Sequence, residues 1–228
     1  MDLFDLSGKL AFVTGRAGLL APIWRETLQQ YGCEVMFYGL PEDDVRDRDK
    51  LKGIATVFTP DIIVNNAAID DPPGTKTSFF ADCSEIMDVS LLGAVNVSEA
   101  FLPGMIENGG GVIINIGSIQ GMVGTDWRNY PVGFVKPVGY NLSKAGLIQL
   151  SRSITVQYGE KGVRCVTIAF GAVKGNKLKS EFLQKFLKNV PTHLLVTEND
   201  LKRTLLFACC CESFAGQTVV VDGGYLAL

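Results

Sequence analysis

The chain has 228 residues, of which 47% are hydrophobic and 20% charged, and its formal net charge is -3. This composition excludes a disordered chain, and the slightly acidic balance excludes a nucleic-acid partner attracted by bulk charge. The length suits one α/β sheet, so we predict a single domain over residues 1–228 and a small molecule as partner.

Two further features bear on location and metals. No apolar run approaches the roughly 20 residues that a membrane-spanning helix needs, and the first eight residues lack the basic character of a signal peptide. We therefore expect a cytoplasmic protein without a membrane partner. The six cysteines lack metal-ligand spacing and the chain has one histidine, so we predict reduced thiols and no metal site.

Short apolar runs alternate with segments of helical spacing along the chain. The predicted strands are Leu10–Thr14, Glu34–Tyr38, Asp61–Asn65, Val112–Ile116, Val163–Ala169 and Gln217–Val221. The predicted helices are Pro22–Tyr31, Phe80–Glu107, Tyr140–Tyr158 and Asn199–Cys211. Nearly continuous apolar strands are typical of parallel strands covered on both faces. The alternation predicts an α/β fold, a doubly wound parallel sheet in a three-layer αβα sandwich with right-handed crossovers.

Three motifs carry the chemistry. Tyr140 and Lys144 lie four residues apart in a predicted helix, so they share one of its faces. We expect the ammonium to lower the pKa of the phenol and to make it a proton donor and acceptor near neutral pH. Ser118 ends an upstream strand, and a glycine-bearing turn, Thr14-Gly15-Arg16-Ala17-Gly18, follows the first strand. This order indicates carbonyl–alcohol chemistry.

The ordered motifs resemble the short-chain dehydrogenases/reductases over essentially the whole chain. They are Thr14–Gly18, Asn65-Asn66-Ala67-Ala68, Ser118, Tyr140-x-x-x-Lys144 and Gly216–Gly224. The resemblance implies a Rossmann fold and an NAD- or NADP-dependent oxidoreductase that interconverts a secondary alcohol and a ketone. In relatives the Ser hydrogen-bonds the substrate oxygen, the Tyr transfers the proton, and the Lys binds ribose hydroxyls and lowers the pKa of the Tyr. By position these roles fall to Ser118, Tyr140 and Lys144.

The resemblance also implies a set of cofactor contacts. In relatives the turn after the first strand places backbone N–H groups and a helix N-terminus against a pyrophosphate. The cofactor-binding residues expected here are Thr14, Gly15, Arg16, Gly18, Leu19, Leu20, Asp44, Val45, Asn66, Ala67, Ala68, Tyr140, Lys144, Gly171 and Val173.

Several positions depart from the family pattern. Ser90 stands where relatives carry an Asn that holds a water in a proton relay; it either takes part in that relay, as a fourth catalytic residue, or faces backbone. Arg16 either clamps a phosphate or points to solvent. The acidic residue of NAD-preferring relatives is missing after the second strand, so the sequence does not decide between NAD and NADP. Between Pro41 and Asp47 a family helix is missing, and Asp44-Val45 resemble the family's third strand.

Two segments bear on the substrate, and each has two interpretations. In the loop 125–130, Trp127 and Tyr130 either stack on a sugar or base while Asp126 and Arg128 bind its polar groups, or they pack as an ordinary loop. The predicted substrate lid, 172–195, carries Lys174, Lys177, Lys179, Lys185 and Lys188. These lysines indicate either an anionic substrate, such as a phosphorylated or nucleotide-linked sugar, or an amphipathic helix.

Three functions follow from these patterns. The first is an NAD(P)-dependent oxidoreductase, with a sugar or another anionic small molecule as candidate substrate. The second is a degenerate relative with weak or no cofactor binding that acts as a binding or oligomer subunit. The third is a non-redox reaction such as epimerisation at the same nucleotide site. Relatives assemble as dimers or tetramers, so the resemblance also implies a homodimer or homotetramer.

Overall fold

The structure, a computed structural model, describes residues 3–70, 78–175 and 180–227. Within these residues the strands are β1 (Leu10–Thr14), β2 (Glu34–Tyr38), β3 (Ile62–Asn65), β4 (Gly111–Ser118), β5 (Val163–Phe170) and β6 (Thr218–Val221). They form one parallel sheet in the order β2-β1-β3-β4-β5-β6. The predicted strands and the doubly wound parallel sheet are confirmed.

Helices cover both faces of the sheet. They are α1 (Ala21–Gln30), α2 (Arg48–Ala55), α3 (Cys83–Met87), α4 (Gly93–Glu107), α5 (Val138–Tyr158), α6 (Ser180–Lys188) and α7 (Glu198–Cys210). The helices α1 and α7 contact each other on one face, whereas α2, α4 and α5 cover the other. The predicted helix Phe80–Glu107 is divided into α3 and α4 by a π-helical turn, Asp88–Leu92. The three-layer αβα sandwich is therefore confirmed.

The sequence prediction missed α2. Asp47 caps this helix by accepting a hydrogen bond from the backbone N of Lys50 at 3.0 Å. Its single fully buried apolar residue, Leu51, packs in the core below. An eight-residue helix with so narrow an apolar face gives little periodic signal, since packing rather than local pattern supplies its stability.

The segment between β2 and α2 forms neither a strand nor a helix. No helix lies between Pro41 and Asp47, and the expectation of a third strand at Asp44-Val45 is wrong. The carbonyls of this segment accept hydrogen bonds from side chains of the fold. The Tyr38 hydroxyl donates to Asp44 O at 3.0 Å, and Asn96 Nδ2 donates to Val45 O at 3.1 Å. The sheet therefore ends at β2.

The turns after β1 and β3 are locked to one another. These strands are neighbours although the chain leaves them in opposite directions, which opens a crevice at their carboxyl ends. Thr14 Oγ1 accepts hydrogen bonds from the backbone N of Asn66 and of Ala67, both at 3.0 Å. Gly15 has a φ of 74°, and a Cβ on it would lie 2.8 Å from Ala67 Cα. A side chain at Gly15 would therefore force the two turns apart.

The continuous helical stretch Cys83–Glu107 is long and apolar enough, by length and composition, to cross a membrane. Its α4 portion packs on the sheet instead, with Val97, Phe101 and Met105 exposed by 1% or less. The apolar composition of this stretch is explained by its place in the core.

We expect Thr14→Val to lower the free energy of unfolding by about 2–4 kcal/mol, because two buried N–H groups lose their acceptor. Urea denaturation measures this change. Thr27→Val is the matched control: Thr27 is equally buried, but its hydroxyl only donates to Ile23 O within α1, at 2.7 Å. The control should lose less than about 1 kcal/mol, and equal losses in the two variants would contradict the proposed lock between the turns.

Candidate active site

A cavity of about 310 Å³ opens at the carboxyl ends of the central strands. Ten of the predicted site residues line it: Gly18, Leu19, Leu20, Asn66, Ala68, Ser118, Tyr140, Lys144, Gly171 and Val173. Seven others lie outside its lining: Thr14, Gly15, Arg16, Asp44, Val45, Ala67 and Ser90. The fold therefore brings the predicted Ser, Tyr and Lys together in one cavity with the turn that follows β1.

The end of β4 and the start of α5 position the three predicted catalytic side chains. Lys144, only 4% exposed, donates from Nζ to the carbonyl of Ile116 at 2.7 Å. Its Nζ lies 5.5 Å from the centroid of the Tyr140 ring. Ser118 ends β4, and its hydroxyl is close enough to Tyr140 to influence the pKa of the phenol. A phenol, a hydroxyl and an ammonium thus meet in the lining of one cavity.

The pKa shifts at this wall differ from the sequence prediction. Burial raises the pKa of Tyr140, the Asp70 carboxylate raises it further, and the hydrogen bond with Ser118 lowers it. Burial lowers the pKa of Lys144 to about 8. The expected lowering of the Tyr140 pKa is therefore not found in this chain: the shift is upward, because burial penalises the phenolate.

The N-terminus of α1 fits the pyrophosphate of a dinucleotide. Leu20, the N-cap residue, provides no side-chain cap, and the first turn contains no acidic residue. Gly18, Leu19 and Leu20 line the cavity next to this helix end. The positive end of the helix dipole favours an anion at such a position, although the Ala21 N–H already donates to Gly18 O at 3.1 Å and Pro22 has no N–H.

Arg16, Asp44 and Val45 lie beyond the cavity. Arg16 forms an ion pair with Glu42 in the loop after β2. Asp44 is bonded by Arg46, with a shortest distance of 2.6 Å, and these hydrogen bonds hold the pKa of its carboxyl below the ordinary range. Arg16 is therefore neither a lone solvated side chain nor a free phosphate clamp, since a carboxylate already neutralises it.

Ser90 has a structural partner. It is 1% exposed, lies in the π-helical turn and accepts a hydrogen bond from the backbone N of Ile69 at 2.9 Å. This bond fixes the segment that follows Ala68. Ser90 was expected either to take part in a proton relay or to face backbone, and the hydrogen bond with Ile69 favours the second interpretation.

The polar and aromatic groups of the loop 125–130 that line the cavity already have partners in the fold. Tyr130 lines the cavity but stacks on Phe134, with ring centroids 4.0 Å apart. Trp127 is 75% exposed and lies outside the cavity lining. Asp126 lines the cavity, and Arg128 bonds its carboxylate at 2.7 Å. These contacts favour the ordinary-loop interpretation.

The described part of the predicted lid behaves as an amphipathic helix. Phe182 and Phe186 of α6 line the cavity, whereas Lys185 pairs with Glu181 at 2.9 Å. None of the described lid lysines, Lys174, Lys185 and Lys188, lines the cavity. Lys177 and Lys179 lie outside the described residues.

The sequence prediction missed Lys136 and Asp70, which line the same cavity and form an ion pair. Lys136 Nζ lies 4.2 Å from the centroid of the Tyr140 ring. Each residue is close in sequence to a recognised motif, Asp70 two positions after Ala68 and Lys136 four positions before Tyr140. This closeness in sequence to the motifs is the signal that could have indicated both residues as candidates. In the described part of the chain, no group of three or more His, Cys, Asp or Glu side chains is arranged to hold a metal ion.

The family model described as "Enoyl-(Acyl carrier protein) reductase" matches residues 23–226. The chain belongs to the short-chain dehydrogenases/reductases. It is 30% identical to a 7alpha-hydroxysteroid dehydrogenase of Bacteroides fragilis over 262 aligned positions, which cover 98% of this chain and 96% of the relative.

Two solved structures share the fold. One is a 7 alpha-hydroxysteroid dehydrogenase complexed with NADH and 7-oxo glycochenodeoxycholic acid, with a TM-score of 0.83 and 24% identity, covering 98% of this chain and 96% of that one. The other is a gluconate 5-dehydrogenase of Burkholderia cenocepacia in complex with NADP and tartrate, with a TM-score of 0.83 and 21% identity, covering 100% of this chain and 98% of that one. This short-chain dehydrogenase/reductase is an NAD(P)-dependent oxidoreductase that acts on alcohols and ketones.

Lys144 should give stability a distinct pH dependence. The unfolded chain keeps this proton up to about pH 10.5, but the folded chain loses it at about pH 8. Between these values the unfolded chain binds more protons, so the contribution of Lys144 to stability rises with pH. We expect the free energy of unfolding of the wild type, relative to Lys144→Met, to increase through this window and to stay level below it.

Urea denaturation of both proteins below and above the window measures the difference. Lys188→Met, which removes an exposed lysine, is the control and should differ from the wild type by a constant amount. A constant difference for Lys144→Met as well would show that the buried ammonium is not destabilised.

Proposed function

We propose that Ser118, Tyr140 and Lys144 are the catalytic residues of this oxidoreductase. The observation that carries the proposal is the meeting of Ser118, Tyr140 and the buried Lys144 in the lining of one cavity. Tyr140 is the general acid and base, and Ser118 orients the substrate oxygen by a hydrogen bond. A secondary alcohol and its ketone are the substrate class.

Each residue has a definite task. In the reducing direction Tyr140 donates its phenolic proton to the carbonyl oxygen, and in the oxidising direction it accepts the proton of the alcohol. The raised pKa keeps the phenol protonated at neutral pH, which suits the donating role. Lys144, protonated below about pH 8, stabilises the phenolate that forms on Tyr140. When bound, the nicotinamide cofactor supplies or accepts the hydride.

The N-terminus of α1 and the turn after β1 are the residues that would hold the cofactor pyrophosphate. Gly18, Leu19 and Leu20 lie there, and Asn66, Ala68, Gly171 and Val173 line the remaining cavity wall. Thr14, Gly15 and Ala67 support this turn from behind through the contacts between the two loops. Asp44 and Val45 would lie at the adenosine side.

The cellular setting is part of the same proposal. A cytoplasmic enzyme that forms a homodimer or homotetramer is the expectation from the family. Leu142 and Val156 on α5 are 48% and 87% exposed, and such apolar side chains on a long surface helix support contact with a second copy.

We expect Tyr140→Phe to lower kcat/KM by about 100-fold or more, because the variant lacks the proton-transferring hydroxyl. Its affinity for NADH or NADPH, measured by nicotinamide fluorescence, should change by less than about threefold. Tyr158→Phe is the matched control, since Tyr158 lies at the other end of the same helix and outside the cavity. Failure of the wild type to bind either cofactor at millimolar concentration would favour the degenerate alternative instead.

We expect Glu42→Gln to shift cofactor preference toward NADPH by about threefold or more. The substitution removes the carboxylate that neutralises Arg16, and the freed guanidinium can attract the 2′-phosphate. The ratio of the Kd values for NADPH and NADH measures the effect. Glu26→Gln, which loses a surface pair with Lys202, is the control and should leave the ratio unchanged. An unchanged ratio in both variants would place Arg16 outside the adenosine site.

A further inference from the structure

The proposed catalytic mechanism assigns no role to the ammonium of Lys136. It lines the cavity, its Nζ lies 4.2 Å from the centroid of the Tyr140 ring, and it pairs with Asp70. Lys144, in contrast, is fixed by its hydrogen bond to Ile116 O. The reacting tyrosine therefore has a second ammonium beside it, and that ammonium faces the space where substrate must lie.

The two members of the Lys136–Asp70 pair differ in exposure. The Lys136 side chain is 12% exposed, whereas that of Asp70 is 48% exposed. A largely buried ammonium needs an anionic partner, because its desolvation is otherwise uncompensated. A half-exposed carboxylate can return to water at little cost. Another anion could therefore replace Asp70 in this pair, whereas Lys136 needs an anionic partner in either case.

The other described cations near the cavity are less suited to bind an anion in it. Arg128 is engaged by Asp126 and Arg16 by Glu42, and neither arginine lines the cavity. The described lysines of the predicted lid also lie outside the lining. The indication of an anionic substrate therefore comes from Lys136 rather than from the lysines of the predicted lid.

We propose that Lys136 binds a carboxylate of the substrate, which displaces Asp70, so that the enzyme prefers hydroxy acids and keto acids to their neutral analogues. This proposal rests on the proposed function, since Tyr140 must bind the reacting oxygen. Because Lys136 lies against the Tyr140 ring, the carboxylate is close to the reacting carbon. A carboxylate is favoured over a phosphate because it replaces the single negative charge of Asp70, whereas a phosphate dianion adds a second charge beside Lys136.

A row of aromatic rings in the same cavity bears on the rest of the substrate. Tyr130, Phe182, Phe186 and Tyr225 all line the cavity, and their rings follow one another with centroid distances of 4.8, 5.4 and 5.0 Å. This row of rings presents an apolar surface to the cavity. The combination of one ammonium and an aromatic wall favours an acid with an apolar body over a polyhydroxylated or phosphorylated sugar.

The test compares matched acids and amides. Wild-type enzyme is assayed with NAD and NADP on lactate, 3-hydroxybutyrate and mandelate, each against its own amide, with cofactor Kd measured alongside. The variants are Lys136→Met, Lys136→Arg, Asp70→Asn and the control Lys188→Met. The readout is the ratio of kcat/KM for acid to that for amide, with kcat and KM reported separately.

We expect the wild type to prefer the acids and Lys136→Met to lower the acid-to-amide ratio about 10- to 100-fold, mainly through the KM of the acid. Lys136→Arg should retain most of the preference. Asp70→Asn should lower the KM of the acids, because it removes the competing carboxylate. Lys188→Met should leave the ratio unchanged.

Three results would overturn the proposal. Equal losses for acid and amide in Lys136→Met would make Lys136 a purely structural residue. Cofactor binding without turnover of any acid, or with preferred turnover of the amides, would reject the carboxylate while leaving the proposed function in place. Absence of both cofactor binding and turnover in the wild type would reject the proposed function together with this inference.

Discussion

The buried ammonium of Lys144 is the constraint on which the site depends. Its hydrogen bond to Ile116 O joins the first turns of α5 to the end of β4, and so fixes Tyr140 relative to Ser118. Burial of this cation is costly, as the pKa of about 8 indicates. The sheet and helix must therefore stabilise an unfavourable charge, which the proposed catalytic role of Lys144 requires. Such strain at a functional site is common in enzymes whose catalytic groups are preorganised.

The two ends of the nucleotide site are built differently. The turn after β1 is held by the Thr14 hydroxyl and by the close approach of Gly15 to Ala67. The adenosine side has a loop in place of a strand and helix, with the charge of Arg16 already neutralised by Glu42. A rigid phosphate end and a reduced adenosine end together predict that pyrophosphate and nicotinamide contacts dominate cofactor affinity.

The proposed substrate site combines one cation with a row of aromatic rings. The loop 125–130, the helix α6 and the C-terminal residues meet in the row of rings from Tyr130 to Tyr225. Because these rings pack on one another, the side of α6 that faces the cavity is apolar and its lysines lie elsewhere. The cation that lines the cavity on this side is Lys136, on the segment that leads into α5, and our proposal gives it the role that the lid lysines were expected to have.

The sequence by itself determined the strands, the long helices and the family, because these depend on local apolar patterns and on the order of short motifs. It also singled out Ser118, Tyr140 and Lys144, which line one cavity, since all three lie near the ends of elements with strong signals. Only the tertiary structure decided how the charges pair. Lys136 meets Asp70 across 66 positions and Arg16 meets Glu42 across 26, and no local pattern specifies such partners. The same holds for the pKa shifts of Tyr140 and Lys144. Burial causes them, and burial depends on the whole fold rather than on the helix that carries both residues.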